Sequence, residues 1–295
     1  MKKKLAILSS SKFENKIVED ILLKKELMKF YDCEIVAWEK ITQTTVNSYS
    51  AFLIKSIWGY HRNYLKFIEL IRYIKSCEIP IFNSYENIMF DISKKNQYIF
   101  MKNHNINTIP TIFLSEYSKL SEFKIPDCEQ YIIKPAISAS GEKVIKTSKI
   151  DVTFLEKTYK DVLLDEKQDI LIQPYMNSVT KGEISCIIVN DKLQYTVKRH
   201  PGVFTAEKSV KYNSTIEPSI EEFVNPIVNF LKSFELLFYR IDLMENNKNY
   251  IVVELEMIDP DLFIRNIPLE IQERTVKTIV NTINYKMRIK DGVNL

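Results

Sequence analysis

Short apolar runs alternate with amphipathic segments over about the first 85 residues. The runs are apolar throughout, which is typical of strands covered on both faces, and the segments between them repeat apolar residues at helical spacing. Strands that alternate with helices predict an open parallel α/β sheet. The predicted strands are KLAILSS, CEIVAW, AFLIKS and IPIFNS, and the predicted helices are NKIVEDILLKKELMKF and NYLKFIELIRYIKSC.

Polar and aromatic side chains follow the third of these strands. Open parallel sheets bind ligands beyond the C-terminal ends of their strands. Lys55, Trp58 and Tyr60 are therefore candidates for binding a substrate. The alternative is that Trp58 and Tyr60 are core aromatics, because such side chains are often buried.

After residue 88 the pattern changes to strands joined by short turns, with helices predicted over residues 93–105, 219–234 and 269–284. Ser219 and Glu222 have the spacing of a capping box for the second of these helices. Two hairpins are predicted, one about Asn190 and one about residues 246–248. This part of the chain is therefore α+β and antiparallel.

Composition excludes several classes of protein. The 295 residues are 45% hydrophobic and carry a net charge of +3, with lysine and glutamate interleaved rather than clustered as in nucleic-acid binders. The four cysteines lie far apart, which argues against a zinc site or a disulfide framework. No apolar run approaches the roughly 20 residues of a membrane span, and the first is too short for a signal peptide. We expect a cytoplasmic protein with no nucleic-acid or membrane partner.

Three carboxylates are predicted to meet on one sheet. Glu254 and Glu256 are two residues apart, so their side chains share a face about 6.6 Å apart, and the predicted hairpin brings Asp242 beside Glu254. Unpaired, the three would repel one another, and magnesium is a suitable cation because it prefers carboxylate oxygens. The alternative is a solvated face on which Arg240 or nearby lysines pair with them.

A loop of small residues follows the strand that ends at Lys134, within YIIKPAISASGEKV. Backbone N–H groups in such a loop can hold phosphate oxygens, and Lys134 can add a positive charge. The P-loop motif is absent from the sequence. By itself the stretch could be an ordinary hairpin, but together with the carboxylates it favours nucleotide binding.

Several of these motifs occur in the order found in the ATP-grasp superfamily. Lys134-Pro135 before the loop, then QPYM, GEIS, and Arg-x-Asp followed by Glu-x-Glu resemble its motifs. KPAISASG and ELEMIDPDLF resemble more closely the group with the cycloserine-forming ligase, ribosomal-protein glutamate ligases and glutathione synthetases. The resemblance implies a substrate-side α/β domain over residues 1–88, a small lid subdomain over 89–172 and a central subdomain over 173–295.

The resemblance also implies roles for individual residues toward ATP and one or two Mg²⁺ ions. Arg240 would stabilise developing negative charge, and the three carboxylates would bind the metal. The implied nucleotide contacts are Lys94 (or Lys95) and Lys134 at the α- and β-phosphates, Ser138, Ala139, Ser140 and Gly141 in the lid loop, Gln173, Pro174 and Tyr175 at adenine, and Glu183 at the ribose.

The chain departs from the family pattern in HPGVFTAEK, where Val203 and Thr205 take the places of an acidic residue and an arginine. Lys198 and Arg199 could supply the missing charge, as could Lys208. The resemblance implies an ATP-dependent ligase that joins a small-molecule carboxylate to an amine through an acyl phosphate, with a homodimer possible. The alternatives are an ATP-binding module with reduced catalysis and a structural protein with solvated carboxylates.

Overall fold

The computed structural model has three sheets in the part of the chain that it describes. Three sequence positions discussed above, Ser140, Val203 and Thr205, lie outside the described residues. The structure describes residues 2–115, 117–119, 122–139, 141–148, 150–159, 168–201, 208–247, 249–290 and 292.

The first region is the predicted parallel sheet, with strand order β2-β1-β3-β4. Leu5 and Ile7 pack toward one face and Ala6 and Leu8 toward the other, so β1 is buried on both sides, as its continuous apolar sequence predicts. Its strands and helices are β1 (Lys4–Ser9), α1 (Val18–Leu27), β2 (Asp32–Ala37), α2 (Gln43–Val46), β3 (Ala51–Ile54), α3 (Tyr64–Ser76) and β4 (Ile81–Phe82).

The second region is a four-stranded antiparallel sheet with order β5-β8-β6-β7. Two helices, α4 (Tyr85–Asp91) and α5 (Lys94–Asn103), connect the parallel sheet to it. Ile133, Leu155 and Ile172 form its own small core. Its elements are β5 (Ile112–Leu114), β6 (Tyr131–Pro135), β7 (Ile145–Thr147), α6 (Val152–Tyr159) and β8 (Ile170–Pro174).

The third region is a five-stranded antiparallel sheet with order β11-β10-β9-β12-β13. Both predicted hairpins are present, and Asp242 lies opposite Glu254, as predicted. The register then shifts by one residue at Val253, which is the signature of a β-bulge. The elements are β9 (Glu183–Val189), β10 (Lys192–Pro201), β11 (Lys208–Asn213), α7 (Pro218–Leu231), β12 (Phe238–Asn246), β13 (Asn249–Glu256) and α8 (Leu269–Lys290).

The start of α7 differs from the prediction. The helix begins at Pro218 with Glu217 as its N-cap, so Ser219 lies inside the first turn and forms no capping box with Glu222. Proline is favoured at this first position because its missing N–H would have no helical partner there.

A single hydrophobic core joins the first and third regions. Leu5 of β1 packs in the same cluster as Ile187 of β9, Phe238 of β12 and Ile279 of α8. The edge of the parallel sheet is therefore held in a defined position relative to the five-stranded sheet. All four cysteine thiols are free, and no helix in the described ranges is both long and apolar enough to cross a membrane.

Candidate active site

The loop that joins β6 to β7 is called the lid loop here, and its described residues are 136–139 and 141–144. It is anchored at the start of α5, where the Lys94 backbone N–H donates to the carbonyl of Ala136 at 2.9 Å. The Lys94 ammonium donates to the carbonyl of Ser138 at 2.8 Å. The predicted lysine at the helix start and the predicted loop therefore form one unit.

Lys134 lies near the end of β6, where its backbone pairs with β8, but its ammonium makes no hydrogen bond or ion pair with any described residue. The pKa of its ammonium is lowered to about 8, mainly by burial and in smaller part by the positive charge of Lys94, while Glu254 and Glu183 oppose the shift. An ammonium with all three donors free next to a small-residue loop is suited to bind an anion.

The structure distinguishes Lys94 from Lys95, which the sequence left open. Lys94 points to the five-stranded sheet, where its ammonium lies 2.6 Å from a carboxylate oxygen of Glu254. Lys95 is turned the other way and pairs with Asp169 at 2.5 Å. Only Lys94 shares its surroundings with Lys134.

Charged side chains cover one face of the five-stranded sheet and are called the charged layer here. Its centre is Asp242, whose side chain is 1% exposed and whose oxygens each accept two hydrogen bonds. The donors are Ser185, Arg199 and Arg240, at distances of 2.6–2.9 Å. Burial opposes ionisation of Asp242, but the two guanidinium groups outweigh it and lower the pKa to about 2. The members of the layer are Glu183, Arg199, Arg240, Asp242, Glu254 and Glu256.

The three predicted metal ligands are not free to repel one another. Glu254 pairs with Lys94, Glu256 pairs with Arg240, and Asp242 is saturated by its donors. In the described part of the chain, no group of three or more His, Cys, Asp or Glu side chains is arranged to hold a metal. Pairing with Arg240 and a lysine is the alternative that the sequence left open, and the structure adds Arg199 as a further partner of Asp242. Metal binding by these carboxylates stays a prediction.

Glu254 and Glu256 nevertheless retain capacity for a cation. Only one oxygen of each, Oε1, pairs with a described residue, and both side chains are partly exposed on one face of β13. Burial and the neighbouring carboxylates raise the pKa of Glu256 to about 8. Carboxylate oxygens on one face match the ligands of Mg²⁺, so these two residues fit the metal, whereas Asp242 has no oxygen to spare.

The residues predicted to bind adenine lie at the end of β8. The Gln173 side chain is buried and donates to the Tyr98 hydroxyl at 2.6 Å and to Thr111 at 2.8 Å, so it stabilises the region internally. The Tyr175 backbone N–H donates to the Gln130 carbonyl at 2.8 Å. The Lys146 ammonium lies 3.3 Å from the centre of the Tyr175 ring. Pro174 pairs with β6 in the ladder.

Glu183, the predicted ribose ligand, faces the same layer. Its carboxylate lies 2.7 Å from the Arg199 guanidinium. Burial raises the pKa of Glu183, and the charge of Arg199 counters part of that shift. Lys198 is one residue away and therefore points to the opposite face, where its ammonium lies 3.8 Å from Glu245. The structure brings Arg199 into the site and leaves Lys198 outside it.

The three predicted substrate residues have different surroundings. Lys55 is 2% exposed, pairs with Glu19 and donates to the carbonyl of Pro260 at 3.0 Å. Tyr60 packs in the core of the parallel sheet, which was the alternative left open by the sequence. Trp58 is partly exposed, and its indole N–H donates to the carbonyl of Asp259 at 3.2 Å.

Sequence reasoning missed two buried carboxylates, Asp91 at the end of α4 and Asp259 in the segment after β13. Asp91, at the end of α4, accepts the backbone N–H groups of Met257 at 2.7 Å and Ile258 at 3.1 Å. Burial raises the pKa of Asp91 to about 7. Oδ2 of Asp259 is buried and has no hydrogen-bond partner among the described residues. No local pattern identifies either residue, because their partners are far away in the chain.

A parallel α/β region, a lid loop flanked by lysines and a charged antiparallel sheet define the ATP-grasp class of proteins. Residues 93–279 match the model of the RimK-like ATP-grasp domain, and the chain belongs to that family. The predicted superfamily, fold class and ATP-grasp ligase family are confirmed. None of the curated proteins matches the chain.

Solved structures with similar folds are ligases by name. D-cycloserine synthetase DcsG superposes with a TM-score of 0.79 at 13% identity, over 95% of this chain and 99% of that one. D-alanine–D-alanine ligase from Bacillus anthracis gives 0.69 at 14% identity, over 98% and 100%. The ligase PsnB, in complex with a precursor variant, Mg and ADP, gives 0.61 at 11% identity, over 96% and 99%. At these identities the likeness concerns the fold.

Proposed function

We propose that the protein is an ATP- and magnesium-dependent carboxylate–amine ligase that forms an amide, or closes a ring, through an acyl phosphate. The observation that carries the proposal is the ammonium of Lys134, which has no partner among the described residues and lies beside the lid loop, where the charge of Glu254 acts on it. A half-buried lysine without a partner costs stability, and binding a nucleotide phosphate would compensate for that cost.

Each charged group has a role in the proposal. Lys134 and Lys94 bind the phosphates of ATP, and Lys94 exchanges Glu254 for a phosphate oxygen. Glu254 and Glu256 hold the metal, which would neutralise charge on the transferred phosphoryl group. Arg240, fixed by Asp242 and Glu256, stabilises negative charge as the carboxylate substrate attacks the γ-phosphorus and ADP leaves.

The lid loop protects the intermediate. Residues 136–139 and 141 would cover the acyl phosphate and keep water from hydrolysing it before the amine attacks. Attack of the amine on the acyl carbon then releases inorganic phosphate and forms the C–N bond. The backbone of residues 173–175 would bind adenine, and Glu183 the ribose.

The first region would supply contacts to the carboxylate substrate, which is a small amino-acid-like molecule or a peptide. Trp58 is the predicted residue that remains partly exposed there, while Lys55 and Tyr60 position the strand end from within the core. The division into substrate-side, lid and central domains at residues 1–88, 89–172 and 173–295 stays a prediction.

A screen that measures ADP release tests the proposal. The protein is incubated with Mg–ATP and pairs of carboxylates and amines. Lys134→Ala is the variant expected to be inactive, and Lys95→Ala is the control variant expected to stay active. Release that needs both substrates and Lys134 supports ligation. The replacement of the expected charges by Val203 and Thr205 favours a second candidate, an ATP-binding module with reduced catalysis, which would bind Mg–ATP but release no ADP with any pair.

A further inference from the structure

The lid loop is tied to the first region by one carboxylate, that of Glu142, which contacts the side chains of both His61 and Arg62. Glu142 Oε2 lies 3.0 Å from His61 Nε2 and accepts a hydrogen bond from Arg62 Nε at 3.0 Å. The other oxygen, Oε1, accepts from Arg62 Nη2. The hydrogen bonds from Arg62 and then from His61 lower the pKa of Glu142 to about 2. His61 and Arg62 thus already provide a two-sided binding site for a carboxylate.

A cavity of about 240 Å³ adjoins this contact. It lies between the lid loop and the short turn Tyr60–Asn63, so it opens where a substrate held by the first region would meet the loop. Its volume suits a small metabolite rather than a drug-sized ligand. The residues that line it are His61, Arg62, Pro135, Ile137, Ser138, Glu142 and Lys143.

His61 is built into the fold rather than displayed on a mobile side chain. It is 7% exposed, and its ring lies 6.1 Å from that of Tyr60, edge to face. Its second nitrogen, Nδ1, is buried and has no hydrogen-bond partner among the described residues. His61 lines the same cavity as Ser138, the lid-loop residue whose carbonyl accepts from the Lys94 ammonium, so the cavity connects the histidine to the proposed phosphate site.

We propose that His61 and Arg62 bind a carboxylate of the acyl-donor substrate, and that Glu142 occupies their site until that substrate enters. The inference rests on the proposed function, since it names the chemical class of group that the first region recognises. Entry of the substrate frees Glu142 and with it the lid loop, so loop movement is coupled to the presence of a carboxylate. The movement requires the contacts of Glu142 with His61 and Arg62 to break, while the hydrogen bonds from Lys94 can hold the start of the loop in place.

The three histidines of the chain make a direct test practical by nuclear magnetic resonance. The His61 resonance is assigned by its loss in His61→Gln, and His104 and His200 serve as internal controls. Succinate is the probe, with sodium chloride added to matched ionic strength as the reference. In Glu142→Gln the His61 resonance should shift saturably with succinate, and about tenfold more succinate should be needed in the wild type, where Glu142 competes.

Two further variants complete the test. Glu142→Gln/Arg62→Gln should bind succinate at least about tenfold more weakly than Glu142→Gln, because the bidentate donor is lost. Glu129→Gln, a change at an exposed glutamate before β6, should behave as wild type. Equal responses to succinate and chloride, or no gain in Glu142→Gln, would overturn the proposal and leave the contact as a simple latch.

Failure of this inference can be separated from failure of the proposed function. The same samples are melted with and without Mg–ATP, which reports nucleotide binding independently of the His61 signal. Succinate binding without any Mg–ATP stabilisation would retain the carboxylate site and reject the ligase. The reverse result would retain nucleotide binding and reject the role of His61 and Arg62.

Discussion

The charged groups at the end of β3 and those at the end of β6 differ in how completely they are satisfied. At β3, Lys55 is enclosed by Glu19 and the carbonyl of Pro260, and neighbouring Ser56 donates to Asp20 at 3.0 Å. At β6, Lys134 has no partner among the described residues, although it is close to Glu254. Both lysines lie at the ends of buried strands, and the sequence predicts a ligand-binding role for each of them.

The comparison shows that a lysine at a strand end is a candidate for ligand binding when its hydrogen-bond donors are unpaired. Its place at the strand end alone does not indicate such a role. In a buried ion pair each charge compensates for the desolvation of the other. Removing one partner leaves the other buried and unpaired, which lowers the free energy of unfolding. A charged group without a partner gains most when a ligand supplies the missing interactions. The comparison predicts opposite phenotypes for the two lysines.

Lys55→Ala should produce the largest effect. It leaves Glu19 buried without its cation, and breaking such a pair costs about 3–5 kcal/mol of unfolding free energy. Urea denaturation measures the loss. Lys55→Met/Glu19→Gln, which removes both charges, should recover most of it, and a stable Lys55→Ala protein with weakened substrate binding would reverse the assignment.

Lys134→Ala should weaken Mg–ATP binding and leave the fold intact. Hydrogen bonds to charged groups contribute about 1.5–3 kcal/mol, so affinity should fall by roughly 10- to 100-fold in isothermal titration calorimetry. Lys95→Ala removes a lysine paired with Asp169 and should change the affinity less than about twofold. Equal losses of Mg–ATP affinity in the two variants would show that Lys134 does not bind the nucleotide directly.

The pH dependence of Mg–ATP binding is a second test of the role of the Lys134 ammonium. Because burial lowers the pKa of Lys134 to about 8, the side chain is mostly charged below that pH and loses its positive charge as the pH rises above it. Phosphate favours the charged form, so affinity should be highest below pH 8 and fall as pH rises, by up to about tenfold per unit. Titrations from pH 7 to pH 10 measure this slope. Lys134→Gln should lack it, and an identical slope in that variant would assign the proton to another group.

Glu254→Gln should have a smaller effect on the fold and a specific effect on the metal. Its pKa is lowered because Lys94 and Lys134 outweigh the effect of burial, so the free protein gains stability from the charge at pH values above the unfolded pKa. We expect the variant to lose about 1 kcal/mol without ligand and most of the Mg²⁺-dependent stabilisation by ATP. Melting curves with Mg²⁺ or EDTA test both. An early-melting variant with the full ligand-induced shift would make Glu254 purely structural.

Lys198→Ala should have the smallest effect. Its ammonium lies on the opposite face of β10 from Arg199, beside the exposed carboxylate of Glu245, and such surface pairs contribute about 0–1 kcal/mol. Both the melting temperature and the rate of ADP release should be close to wild type. A large loss of activity would mean that Lys198 acts in catalysis in place of Arg199.

Much of the fold could be predicted because the relevant signals are local. The apolar run of β1 and the helical periodicity around α3 are properties of consecutive residues, so they predict the element type and the parallel sheet. The short helices α2 and α4 were not predicted, because four and seven residues give too little periodicity. The start of α7 was misplaced because a proline in the first turn competed with a capping motif.

The candidate site was predicted only in part. Two-residue spacing and hairpin register placed Asp242, Glu254 and Glu256 together, since both are consequences of strand geometry. Two-residue spacing also made Arg240 a possible partner of Asp242, as observed. The sequence could not show that Arg199 binds Asp242 as well, because strand order β10-β9-β12 brings those two residues together.

By itself, then, the sequence determined which residues form strands, which carboxylates share a face and which loop lacks large side chains. These follow from backbone geometry over a few residues. Only the tertiary structure decided which charges are satisfied, because the partners come from distant segments: Lys94 meets Glu254 and Lys55 meets Glu19, while Lys134 meets no partner in the described chain. Electrostatic energy depends on the distance between charges in space and on their burial, and neither quantity can be derived from the local sequence pattern.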